Sequence, residues 1–168
     1  MTLHTATAAD IPWIMALEQR PENAPFVYVS DAAAHDAHRA GPNSVTLVFE
    51  EAGARLGYAM LRGLASKARS VELMRIIVDQ PGQGVGGRFL RALIAHVFGE
   101  LGANRLWLDV FEDNARGRAA YRREGFVEEG ILREAALTTD GRLGSLVVMS
   151  ILSRERAAPE PGAGPGTG

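Results

Sequence analysis

Four glycines, Gly82, Gly84, Gly86 and Gly87, stand between an apolar, β-branched run from Val71 to Val78 and a helical pattern that begins near Val85. A strand, a tight glycine turn and a helix N-terminus gather free backbone N–H groups at the positive end of a helix dipole, with no side chains in the way. That arrangement binds a phosphate group. A mononucleotide P-loop requires Lys-Ser or Lys-Thr after the glycines, and Arg88-Phe89 stands there instead. A dinucleotide site finds its G-x-G-x-x-G in Gly82, Gly84 and Gly87, and an acidic residue, Asp109, further along. Yet Asp109 falls inside a predicted strand. The chain after Phe111 also has room for only one helix, where a dinucleotide-binding oxidoreductase needs further β-α units. An acyl-coenzyme A pyrophosphate is the third candidate, and residues outside the turn decide on it.

Other reactive side chains are few. The sequence has no cysteine, which excludes disulfides, thiol nucleophiles and thiolate metal sites. His35 and His38 lie at i and i+3 beside Asp36, but nothing marks a third ligand, so a solvated helix face and no metal are expected. His96 sits on the long helix away from the glycines and reads as structural. A net charge of −2 and the lack of a basic stripe with interleaved aromatics argue against a nucleic-acid partner. No apolar run approaches transmembrane length and no signal peptide opens the chain, so a cytoplasmic protein without a membrane partner is expected.

The elements that position the glycines follow from periodicity. Strands are predicted over Thr2 to Thr7, Val45 to Glu50, Leu56 to Leu64, Val71 to Val78, Arg105 to Phe111, Phe126 to Leu132 and Ser145 to Leu152. Asp10, with Pro12 behind it, reads as the N-cap of a first helix, and Asp31 as the cap of a second running to Arg39. Val85, Phe89, Leu90, Leu93, Ile94, Val97 and Leu101 recur at three and four residues and predict the longest helix, from about Val85 to Gly99. Asp113 or Asn114 caps a fourth that ends at Gly125, and Asp140-Gly141 turns the last hairpin. This order predicts an α/β (α+β) fold. About seven strands form a mixed, mostly antiparallel twisted sheet with one parallel crossover, flanked by about four helices. One domain over residues 1–156 and a disordered Pro/Gly-rich tail over 157–168 are expected.

The turn is followed by a strand containing Leu108 and Val110, then by Asn114, Tyr121 and Gly125-Phe126 in the pattern N-x₆-Y-x₃-G-F. With Gly84 and Gly86 filling G-x-G/A, this resembles the GNAT superfamily of N-acetyltransferases. The downstream Gly125, Phe126, Glu129, Gly130 and Arg133 look like the branch that acetylates ribosomal-protein N-termini and small amines. Two positions depart from the pattern. Pro81 stands where Arg or Gln is usual, so the cradle must use amides from Gly82 onward, and Gly117 stands where Ala is usual.

The resemblance implies acetyl-CoA as co-substrate and direct attack of a primary amine on the thioester. The amine belongs to a small molecule or a peptide N-terminus, on an enzyme that is a monomer or homodimer. A non-catalytic acyl-CoA-binding module is the alternative, and it would tolerate loss of Tyr121. By the resemblance, Tyr121 is the acid at the thioester sulfur and Asn114 contacts the pantetheine arm. Ile76, Ile77 and Val78 pair with pantetheine like an extra strand. Gly82, Gln83, Gly84, Val85, Gly86, Gly87 and Arg88 hold the pyrophosphate. Glu72 is the candidate base, with a water chain as its rival. Arg75, three residues on, falls on the opposite strand face by alternation and reads as a surface or rim charge. Phe26, Tyr28, Glu72 and Arg133 are the candidate liners of the acceptor pocket.

Overall fold

The alternating and β-branched runs become one seven-stranded sheet in the computed structural model, which describes residues 2–23 and 27–156. The strands are β1 (Thr2–Thr5), β2 (Ser44–Glu51), β3 (Ala54–Arg62), β4 (Ser70–Val78), β5 (Arg105–Phe111), β6 (Val127–Leu137) and β7 (Leu143–Leu152). The α-helices are α1 (Ile11–Glu18), α2 (Ala32–Ala40), α3 (Val85–Gly99) and α4 (Ala115–Arg123). Spatial order is β1-β2-β3-β4-β5-β7-β6. Every neighbouring pair is antiparallel except β4 and β5, which the α3 crossover makes parallel.

Each sheet face carries its own core. On one face, Val85, Phe89, Leu90, Leu93, Ile94 and Val97 of α3 pack on Leu47, Leu61, Leu73, Leu106 and Leu108. On the other, Ile14 and Leu17 of α1 pack on Val48, Tyr58, Met60 and Ile77, with α2 beside them against β2. Gly57 is what lets α3 sit so close to the sheet. A Cβ there would lie 2.5 Å from the Ile77 carbonyl oxygen and 3.2 Å from the Phe89 ring. Phe89 stacks on Phe49 at 4.9 Å between ring centroids, which anchors the first turns of α3 and the glycines before it.

Two irregularities shape the centre of the sheet. The parallel pairing of β4 and β5 covers only Ser70↔Arg105, Val71↔Leu106 and Glu72↔Trp107, after which the strands part. In the β3–β4 ladder, Leu61 pairs with Leu73 and Met60 with Arg75, so Met74 is an extra residue in a β-bulge. The bulge resets the alternation. Val71 and Leu73 face α3, as do Ile76 and Val78 beyond it, while Arg75 and Ile77 turn toward α1. Simple alternation puts Arg75 opposite Glu72; the bulge puts both on the α1 face.

Some element ends differ from the sequence expectation. Asp10 is not a plain N-cap. It ends a 3₁₀ turn, Ala8–Asp10, and its carboxylate reaches back to accept from the Thr7 N–H (2.8 Å) and hydroxyl (2.9 Å). Asp31 does cap α2, accepting from the Ala34 N–H at 2.8 Å. Strand β6 runs to Leu137 rather than Leu132. Register shifts after Glu128 and after Leu132 erase its alternation, and nearly all of its residues are exposed. The expected tail and the candidate liner Phe26 lie outside the described residues.

Candidate active site

The glycine turn is built from three consecutive residues with positive φ: Gly82 (107°), Gln83 (49°) and Gly84 (72°). The value at Gly82 lies far from any region an L side chain accepts, and a Cβ there would meet nothing within 4 Å, so the requirement is conformational rather than steric. The Val85 N–H bonds to the Gly82 carbonyl at 3.2 Å and the Arg88 N–H to the Gly84 carbonyl at 3.1 Å. The Gly86 and Gly87 amides have no backbone acceptor among the described residues, as expected of a helix's first turn. A Cβ on Gly86 would also meet open space. These amides and this open surface suit the two linked phosphates of a pyrophosphate. The Arg88 guanidinium turns back to bond the Gln83 carbonyl (2.8 Å) and the Glu51 carboxylate (2.9 Å), and so braces the turn.

Where β4 and β5 part, a cleft of about 290 Å³ opens, lined among others by Tyr28, Arg75, Ile76, Asp109, Asn114 and Tyr121. It reaches both sides of the sheet. Tyr121 packs against the α3-face core, its ring 5.6 Å from that of Phe126. Asp109 stands between Leu108 and Val110, which both point into that core, so its own carboxylate faces the α1 side. Burial pushes the Tyr121 hydroxyl up to about 12, and this hydroxyl bonds no described residue. Asn114, not Asp113, caps α4: its Oδ1 accepts from the Gly117 N–H at 2.9 Å. A Cβ on residue 117 would lie 2.8–3.0 Å from the Asn114 side-chain amide, so glycine makes room for this cap.

Of the expected residues, the cleft brings together Tyr28, Ile76, Asn114 and Tyr121, with the glycine turn at the far end of β4. Ile77 is buried in the α1-side core and Val78 packs toward α3; both remain on the stretch of β4 whose edge toward β5 is unpaired. Glu72 does not line the cleft. It is gripped by Arg62 through two bonds, Nε to Oε2 at 2.6 Å and Nη2 to Oε1 at 2.9 Å, which occupies the carboxylate that a base would need free. Arg133 is exposed on the bulged part of β6, beside a separate open hollow with Leu132, Glu134 and Ser145. Arg75 is no rim charge: it pairs with the fully buried Glu18. His35 is likewise buried, 3.2 Å from Glu18, and not on a solvated face.

Asp109 stands out in the sequence only as the acidic residue of a dinucleotide pattern, yet it lines the cleft. It makes no hydrogen bond or ion pair with a described residue. Desolvation and the nearby Glu72 carboxylate hold its carboxyl above the ordinary value, against the pull of Arg62. No local sequence signal marks it; the strand register does, because Asp109 lies two residues beyond Trp107, the partner of Glu72, where β4 and β5 have parted. Among the described residues, no group of three or more His, Cys, Asp or Glu side chains is placed to hold a metal.

Residues 12–126 match the Acetyltransferase (GNAT) family. The chain is 29% identical over 152 residues to [Ribosomal protein bS18]-alanine N-acetyltransferase of Escherichia coli (strain K12), covering 88% of this chain and 95% of that one. A crystal structure of spermidine N-acetyltransferase from Vibrio cholerae, in complex with CoA and spermine, has the same fold. The TM-score is 0.82 at 22% identity, over 92% of this chain and 96% of that one. With the turn, the parted strands and the Asn114–Tyr121–Phe126 frame in place, the chain belongs to the GNAT family of acetyltransferases. It is an acetyl-CoA-dependent N-acetyltransferase, acting on an amine.

Proposed function

We propose that acetyl-CoA and the acceptor amine meet through the sheet, one from each face, in the gap between β4 and β5. The observation that carries this is the placement of Tyr121 on the α3 side of one cleft and Asp109 on the α1 side. On the α3 side, the amides from Gly82 to Gly87 hold the pyrophosphate, the unpaired edge of β4 at Ile76 to Val78 aligns the pantetheine, and Asn114 flanks it. Acetyl-CoA supplies a thioester whose C–S bond breaks as the new N–C bond forms. Asp109 receives the acceptor as an ammonium, takes its proton, and leaves a neutral amine to attack. Tyr121 donates its O–H to the sulfur. With its pKa near 12 it stays protonated beside a thiol whose pKa is about 8.5, so it stabilises the departing thiolate by a hydrogen bond, and the thiolate takes up the second proton that the nitrogen loses as the amide forms.

The acceptor is a primary amine bearing one positive charge, a monoamine or a peptide N-terminus. Among the described residues that line the cleft, Asp109 is the one carboxylate, and the cation there, Arg75, is already paired with Glu18. A thiol-release assay with acetyl-CoA against monoamines, N-terminal peptides and spermidine tests this. Release of CoA should be faster with singly charged acceptors. Thermal stabilisation by acetyl-CoA without release from any amine would favour the acyl-CoA-binding module instead.

A further inference from the structure

Four side chains outside this chemistry form a buried polar group. Glu18, at the end of α1, is fully buried, as is Tyr58 on β3, and His35 on α2 is nearly so. The Glu18 carboxylate accepts from the Tyr58 hydroxyl, from His35 Nε2 at 3.2 Å, from Arg75 Nη1 and from the Ser30 N–H at 3.3 Å. A buried carboxylate costs several kcal/mol unless its lone pairs are occupied, and replacing such a group with apolar residues is often neutral or stabilising. Stability alone therefore does not account for it.

The four donors share a target. Arg75 leaves β4 just after the Met74 bulge and lines the cleft, and its second nitrogen donates to the Tyr28 carbonyl at 2.8 Å. Glu18 holds the Ser30 amide. Residues 27–30 are thus tied from beneath at two backbone groups, while the Tyr28 hydroxyl reaches across to the Leu137 carbonyl on β6. Val27 and Tyr28 form the cleft wall on the α1 side. From this geometry we infer that Arg75 is a positioning residue for the acceptor. Braced by Glu18, it fixes the wall at Val27 and Tyr28, and so sets acceptor affinity without touching acetyl-CoA on the other face. This rests on the two-faced reading proposed above.

Two variants test it. Arg75→Lys keeps a cation for Glu18, but a single ammonium cannot span both Glu18 and the Tyr28 carbonyl as the planar fork does. Glu18→Gln/Arg75→Met removes both charges together and leaves none unpaired. In each, the KM for the acceptor should rise at least fivefold and the amides of residues 27–30 should exchange hydrogen faster. The KM for acetyl-CoA should stay within twofold. An unchanged acceptor KM in both, or an acetyl-CoA KM that rises in step, overturns the inference. Acetyl-CoA stabilisation of the unmodified protein separates the two levels: if it is absent, the parent reading fails; if it is present and acceptor KM does not move, only the role of Arg75 fails.

Discussion

In the proposed mechanism Asp109 and Tyr121 divide the proton chemistry, and each role is measurable. Tyr121→Phe removes the hydrogen bond that forms as charge develops on sulfur, so kcat should fall about 100-fold. The KM for acetyl-CoA should change little in steady-state kinetics, because the ring remains. Asp109→Asn should also lower kcat/KM about 100-fold, and the rise of rate with pH through the elevated carboxyl pKa should disappear. The same substitution should raise the melting temperature at neutral pH. Because the folded pKa of Asp109 lies above its unfolded value, the folded state holds the proton more tightly. Ionisation therefore costs stability once pH rises through the folded pKa. Below the unfolded value of about 3.9 that cost is gone, and the melting difference between variant and parent should vanish. A gain in activity paired with a loss of stability would contradict both assignments.

The glycine turn and α3 act as one element. Phe89, stacked on Phe49 over Gly57, fixes where the helix begins, and three positive-φ residues then bring the free amides to its end. Gly82→Ala places a Cβ in open space but forces φ 107° on an alanine, so the turn must refold. Its expected signature is a rise of about tenfold in the KM for acetyl-CoA with a small change in melting temperature, read by kinetics and calorimetry together. The turn was legible in the sequence because glycine spacing and helical periodicity are local signals. The bulge at Met74 was not, since nothing in Leu73-Met74-Arg75 marks an extra residue and only pairing with β3 reveals it. That one residue moved Arg75 to the face where Glu18 waits. Strand β6 was undercalled for a related reason: its register shifts and exposed edge position remove the alternation by which strands are read.

At the scale of the molecule, the decisive feature is a sheet whose central parallel pair closes at Glu72 and opens beyond it. Folding leaves the cradle and the edge of β4 ready for a cofactor, so acetyl-CoA should stabilise the whole chain by mass action. At about 100 times its Kd the gain is about 2.7 kcal/mol, a rise of roughly 5–10 °C in melting temperature for a chain of this size. NADH should produce no such rise in a thermal-shift experiment.

The sequence by itself determined the order of elements, the phosphate-binding turn and the Asn114–Tyr121–Phe126 frame. All of these are encoded by residues near one another in the chain. Only the tertiary structure decided which carboxylate is free. Glu72 and Asp109 are both acidic residues on central strands, and their types and spacing do not distinguish them. Arg62, brought from β3 by strand pairing, occupies Glu72, while the parting of β4 and β5 leaves Asp109 open to the cleft. The contacts of Glu18, His35 and Arg75 were hidden for the same reason, since partners drawn from α1, α2, β3 and β4 meet only when the sheet and its helices close around them.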